Sequence, residues 1–130
     1  MREIIFRAKR KDNGEWVYGN LITDGEDVYV LPKEDLLKGL DIGGWIDGVQ
    51  THEVIPETVG QYTGMTDKSG KKVFEGDILK GLYSNGNAEV KMINGSWAGY
   101  AGKGWTDIGY VVERVEVIGN AHDNPELLNK

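Results

Sequence analysis

Three Asn-Gly pairs, Asn13-Gly14, Asn85-Gly86 and Asn94-Gly95, punctuate this chain, and between them run short segments rich in β-branched and aromatic residues. Asn-Gly is the preferred core of a two-residue type I′ turn, because both positions there need positive φ. With 19 glycines in 130 residues and only three prolines, the chain has many tight turns and bulges and no Pro-rich linker. The predicted fold is therefore mainly β, built as a small barrel or sandwich of short strands. The length suits one domain, or two small lobes.

The first predicted element is a hairpin. A strand near residues 3–11 turns at Asn13-Gly14 into one near 16–22. A two-residue loop pairs Phe6 with Leu21, Ala8 with Gly19 and Arg10 with Val17 on one mainly apolar face. The other face pairs Lys9 with Tyr18 and Lys11 with Trp16, alternating cations with rings. A one-residue slip would exchange the faces, so the pattern pins them. Asp27–Leu31 follows as a strand ended by Pro32. Residues 33–40 read as one or two helical turns carrying Leu36, Leu37 and Leu40, and 41–50 as a connection holding Trp45.

The second half is predicted as strands at His52–Ile55, Val59–Thr63, Lys71–Phe74, Ile78–Lys80, Ala88–Ile93 and Arg114–Ile118. Asp67-Lys68-Ser69-Gly70 has Asp first and Gly fourth, the signature of a type I turn. Glu75-Gly76-Asp77 is a tight corner, where Asp77 is expected to bond the following backbone in an Asx-type turn. Asn124-Pro125-Glu126 opens a short terminal helix with Pro at its first position.

The chemistry-bearing residues are few. Cysteine is absent, which removes thiolate nucleophiles and disulfides. His52 and His122 are too far apart in sequence for a local metal motif, so no metal site is expected. No G-x-S-x-G or H-E-x-x-H occurs. Gly102-Lys103-Gly104 lacks the Ser or Thr that must follow a phosphate-loop lysine. The chain is accordingly expected not to be an enzyme and to need no cofactor.

Net charge is −6, which argues against coating nucleic acid by bulk electrostatics. The charge is uneven. Residues 1–11 carry five basic groups, while 21–57 carry nine acids. Two ring-bearing stretches are candidate binding surfaces: Lys9, Lys11, Trp16 and Tyr18 on the first hairpin, and Trp97, Tyr100 and Trp105 among the glycines of a 95–105 loop. Both have the composition of a base-stacking platform; the hairpin set equally suits lysine stems lying along rings on an exposed sheet, and the 95–105 rings equally suit packing on the core or on a partner. An acidic decoy mimicking nucleic acid is a third reading, requiring the acids of 21–57 to share one face. The opening Met1-Arg2-Glu3-Ile4 lacks the apolar stretch of a signal peptide, and no run suits a membrane span, so the expected location is cytoplasmic.

Three blocks carry more than periodicity. Arg2-Glu3-Ile4-Ile5-Phe6-Arg7-Ala8 with Trp16-Val17-Tyr18-Gly19, then Pro56–Gly64 through Asp67–Ile78, then Val117-Ile118-Gly119-Asn120 with Asn124-Pro125-Glu126-Leu127, resemble the YopX family of phage and prophage proteins in its own order. Residues 23–50 and 84–112 match it less well. The resemblance implies a small SH3-like barrel with an additional N-terminal β-hairpin and short helical turns. The hairpin and an accessory segment would span 1–52, and the barrel with its C-terminal tail 53–130. It also implies a non-enzymatic accessory protein of a phage or prophage in the host cytoplasm. That protein would self-associate as a homo-oligomer and bind an unidentified host or phage protein. No catalytic residue comes with it. The alternative is a nucleic-acid-binding barrel that uses the basic hairpin.

Overall fold

A computed structural model of the chain describes residues 4–32, 51–83, 86–102, 104–110 and 112–128. The expected helical turns at 33–40, the connection at 41–50, Asn85 and Lys103 lie outside the described residues. The protein is mainly β, with two antiparallel sheets, and it divides into two compact units, Glu3–Gln61 and Tyr62–Lys130.

In the first unit the strands are β1 (Phe6–Lys9), β2 (Trp16–Asp24), β3 (Asp27–Pro32) and β4 (His52–Glu53), hydrogen-bonded in the order β4-β3-β2-β1. The free side of β1 takes Gly60 and Gln61, the start of β5 (Gly60–Thr66). Ala8, Val30 and Val54 form the buried centre, with Val17, Leu21, Val28 and Val59 packed round it. Fully burying a valine such as Val30 or Val54 stabilises the unit by about 1.5–3 kcal/mol.

The hairpin register differs from expectation. Phe6 pairs with Gly19, Arg7 with Tyr18, Ala8 with Val17 and Lys9 with Trp16, two residues short of the predicted ladder. The cause is the turn. Only Asn94 among the described non-glycine residues has positive φ, so Asn13-Gly14 is not a type I′ pair. Instead Arg10 N donates to Glu15 O and Gly14 N to Arg10 O, which makes 11–14 a four-residue connection. The Asn13 side chain accepts from Glu15 N at 2.9 Å, and the Arg10 guanidinium grips Asp12 through two hydrogen bonds. A two-residue shift keeps side-chain parity, so Phe6, Ala8, Val17 and Gly19 stay on one face and Lys9, Trp16 and Tyr18 on the other, while Lys11 falls in the connection.

The second unit holds the rest of β5, then β6 (Lys72–Phe74), β7 (Asp77–Tyr83), β8 (Gly86–Ile93), β9 (Ser96–Ala101), β10 (Gly104–Asp107) and β11 (Glu116–Asn120). β5 pairs with β6, and the other five form a sheet in the order β10-β9-β8-β7-β11. This corrects the barrel expectation: no pairing joins β10 to β11 among the described residues, and the strands do not make a closed barrel. The stretch read as a 95–105 loop holds instead two paired strands, β9 and the start of β10, while Val112–Arg114 is a 3-10 turn that delays the last strand to Glu116.

The core of this unit is Val73, Leu79, Val90, Trp97, Ile108, Val112, Val115 and Val117. Gly99 sits where a Cβ would come within 2.3 Å of Leu82 Cδ2, so glycine lets β9 lie close to its neighbours. Asn94-Gly95 does form the predicted two-residue turn, with φ of 52° and 82°, between Ile93 and Ser96.

Two carboxylates organise the corners. Asp67 Oδ1 accepts from Ser69 N and Lys71 N at 2.8 and 2.9 Å, and Gly70 N closes the predicted type I turn on Asp67 O. Its other oxygen, Oδ2, accepts from Val117 N on β11 at 2.9 Å. Asp77 is buried and accepts from Phe74 N at 2.7 Å, a bond that runs back along the chain across the corner.

Candidate interaction surfaces

On the first hairpin, register puts Arg7, Lys9, Trp16 and Tyr18 on one face. The Arg7 guanidinium lies 4.8 Å from the Trp16 ring centre and the Lys9 ammonium 5.6 Å, two cation–π contacts on one indole. Arg7 is buried, Lys9 and Trp16 are half-buried, and Tyr18 is 47% exposed. Arg7 was not among the expected site residues. Its signal in the sequence was parity, two residues before Lys9. Lys11 stands apart from this group. Its ammonium donates to Glu53 Oε2 at 3.0 Å, and its backbone N donates to Glu53 O. That hydrogen bond, then the Glu53 charge, raises the Lys11 pKa. Burial, followed by Asp27, Glu53 and Asp24, likewise raises the Tyr29 phenol. The hairpin face is thus cationic around Trp16, with acids gathered around Tyr29.

In the second unit the three expected rings separate. Trp97 is 9% exposed and belongs to the core. Tyr100 and Trp105 face each other directly across β9 and β10, on the side of the sheet opposite Trp97. They are 37% and 46% exposed. Lys91, on β8, places its ammonium 5.1 Å from the Tyr100 ring centre and 3.9 Å from Glu89 Oε1. Asp107 lies on the same side of β10 as Trp105, and its Oδ1 accepts from Gly109 N at 2.8 Å. Composition flagged the rings. Lys91 and Asp107 became visible only once strand register was known.

The edges of this sheet are unlike. The outer side of β11 is occupied: Val117 N donates to Asp67, and the carbonyl of Val115, just before the strand, accepts from Lys68 N at 3.0 Å. β10 pairs with β9 alone among the described strands, and no backbone hydrogen bond of the described residues reaches its other side.

His52 lies in β4 and His122 in a turn beyond β11. Among the described residues, no group of three or more His, Asp or Glu side chains is placed to hold a metal, and no helix is long and apolar enough to cross a membrane.

These features define a small antiparallel β protein whose most distinctive surface is a ring-bearing sheet edge. The family model described as YopX protein matches residues 5–129, and the chain belongs to the YopX family. No curated protein matches it. Among solved structures it is similar in fold to protein EF1440 from Enterococcus faecalis, with a TM-score of 0.57 and 21% identity over 98% of this chain and 99% of that one.

Proposed function

We propose that this protein is a non-enzymatic accessory protein of a phage or prophage, acting in the host cytoplasm by self-association and by binding other proteins. The observation that supports this most is the Tyr100–Trp105 pair: two large rings, opposite each other and solvent-exposed, on the two strands at one edge of the second sheet. Tyr and Trp are enriched at interface hot spots, because each removes much apolar area from water at little cost in side-chain entropy. Sedimentation across micromolar concentrations tests the self-association. Mass should rise with concentration, and Trp105→Ala should weaken association tenfold or more, on the order of a hot-spot loss. A monomer throughout would remove this part.

A second reading has its own observation. Arg7 and Lys9 stacked on Trp16, beside exposed Tyr18, make a cationic aromatic face suited to single-stranded nucleic acid. Binding to an oligonucleotide should then weaken steeply with salt and fall on Lys9→Ala or Trp16→Ala. Absence of binding at low salt disposes of it.

A further inference from the structure

We infer that the open side of β10 takes an extended peptide segment from a partner protein as an added antiparallel or parallel strand, with an apolar side chain over Trp105 and a basic one beside Asp107. This rests on the reading that the Tyr100–Trp105 surface is an interaction site, and it names the partner's chemistry.

The argument starts from the two edges. A sheet edge presents a row of N–H and C=O groups ready to pair with another chain, and proteins blunt such edges with bulges, charge or covering segments. Here β11 has both devices. Its ladder with β7 is irregular between Val117 and Gly119, and the Asp67–Lys68 turn takes up the Val117 N–H and the Val115 carbonyl. β10 has neither among the described residues. Its register with β9 is unbroken over all four residues, and it contains no proline. The edge left uncovered by the described residues is also the one that carries a 46% exposed Trp. Strand addition uses main-chain bonds for affinity and alternate side chains for specificity.

The side-chain rule follows from parity. Trp105 and Asp107 point to the same side, about 7 Å apart along the strand. An added strand would set two of its own residues, i and i+2, against them. The partner of an exposed indole is apolar. The partner of Asp107, the single charge within β10, is basic, and the chain's net charge of −6 favours a basic segment at long range. Lys91 does not oppose this, since its ammonium sits over Tyr100 and near Glu89. A strand of nucleic acid at the same place would meet Asp107 with like charge, so peptide is the better fit.

The test uses the whole chain and a blocked octapeptide with valine and lysine alternating along one face and threonine filling the other. Two controls accompany it: the same peptide with lysine replaced by glutamate, and one N-methylated at the amides of one edge. Backbone amide shifts of residues 104–107, with indole fluorescence, report binding. The expected result is saturable binding by the lysine peptide and little by either control. Trp105→Ala should weaken it by roughly tenfold. Asp107→Asn, which keeps the Oδ1 acceptor for Gly109, should weaken it by about two- to fivefold, as for an exposed ion pair. If Trp105→Ala fails to fold, Asp107→Asn and the N-methylated peptide still decide. Equal binding by the N-methylated peptide, or no binding by any, overturns the proposal. Shifts of 104–107 that grow with protein concentration and that excess lysine peptide does not displace would assign the edge to a second copy, overturning this proposal while leaving the interaction reading intact. No peptide binding together with no self-association would sink both.

Discussion

Replacing Asp67 by asparagine tests how the second unit is held together. The carboxylate accepts three backbone N–H bonds, from Ser69 and Lys71 inside its own turn and from Val117 fifty residues away. Asparagine keeps one oxygen for the exposed Ser69 and Lys71 N–H groups, and losing the carboxylate's charge there costs about 0.5–1.5 kcal/mol in all. Val117 is buried, and leaving its N–H facing an amide NH2 in place of a carboxylate oxygen costs about 1–3 kcal/mol. The sum is about 3 kcal/mol, or a fall of about 1.5 M in urea midpoint at an m of roughly 2 kcal/mol per M. The effect should also depend on pH. Burial pushes the Asp67 carboxyl upward, but the bonds from Val117, Lys71 and Ser69 outweigh it, and the net pKa is depressed. A depressed carboxylate contributes stability that is fully present above its unfolded pKa, about 4, and is lost as pH falls through the folded value. The gap between parent and Asp67→Asn should therefore be widest near pH 7 and shrink below about pH 4. Urea unfolding at both pH values measures it, with amide exchange at Val117 as the local readout. A gap under about 1 kcal/mol at pH 7, or one that widens with acid, would refute the reasoning.

Two further substitutions probe the first unit. Gly19→Ala puts a Cβ 2.0 Å from Leu31 O and 3.0 Å from Pro32 Cα, both backbone atoms that cannot swing aside. It should cost about 3 kcal/mol and accelerate amide exchange along β2 and β3, and an unchanged exchange pattern would contradict the close approach. Thr58→Val removes a hydroxyl that accepts from Lys9 N at 2.9 Å and donates to Ile55 O at 2.6 Å, and should lower stability by about 1–3 kcal/mol with the shape of the side chain kept. Chemical denaturation measures that loss, and Thr58→Ser should restore most of it.

Much of the fold was legible in local chemistry. Asn94-Gly95 and Asp67–Gly70 form turns from residues whose backbone preference decides the matter within four positions. The faces of the first hairpin followed from period two, which a two-residue slip does not disturb. The register itself depended on whether Asn13 would take positive φ, and there side-chain bonds within the turn, Arg10 to Asp12 and Asn13 to Glu15, accompany a longer connection. β9 and β10 were missed because Ala98, Gly99, Ala101, Gly102 and Gly104 supply almost no apolar contrast for a pattern to show. Gly99 is small because Leu82 and Ile108 crowd it, a tertiary reason with no local trace.

The same distinction governs the candidate surface. Composition could nominate Trp97, Tyr100 and Trp105 together, since all three rings sit among glycines. It could not separate them, because separation depends on which side of a strand each occupies. Once Trp97 is in the core, parity sends Tyr100 to the other side, and cross-strand pairing brings Trp105 opposite it. An exposed indole is costly to keep in water and adds little to folding where it stands. On the far edge, Asp67 reaches across the sequence to occupy Val117, which is what stability alone asks of a sheet margin. A chain that seals one margin with a buried carboxylate and sets a tryptophan on the other has two margins under different constraints. The sealed one answers to folding, and the substitution at Asp67 reads it. The one bearing Trp105 answers to whatever binds there, so changes at Trp105 should move association far more than unfolding.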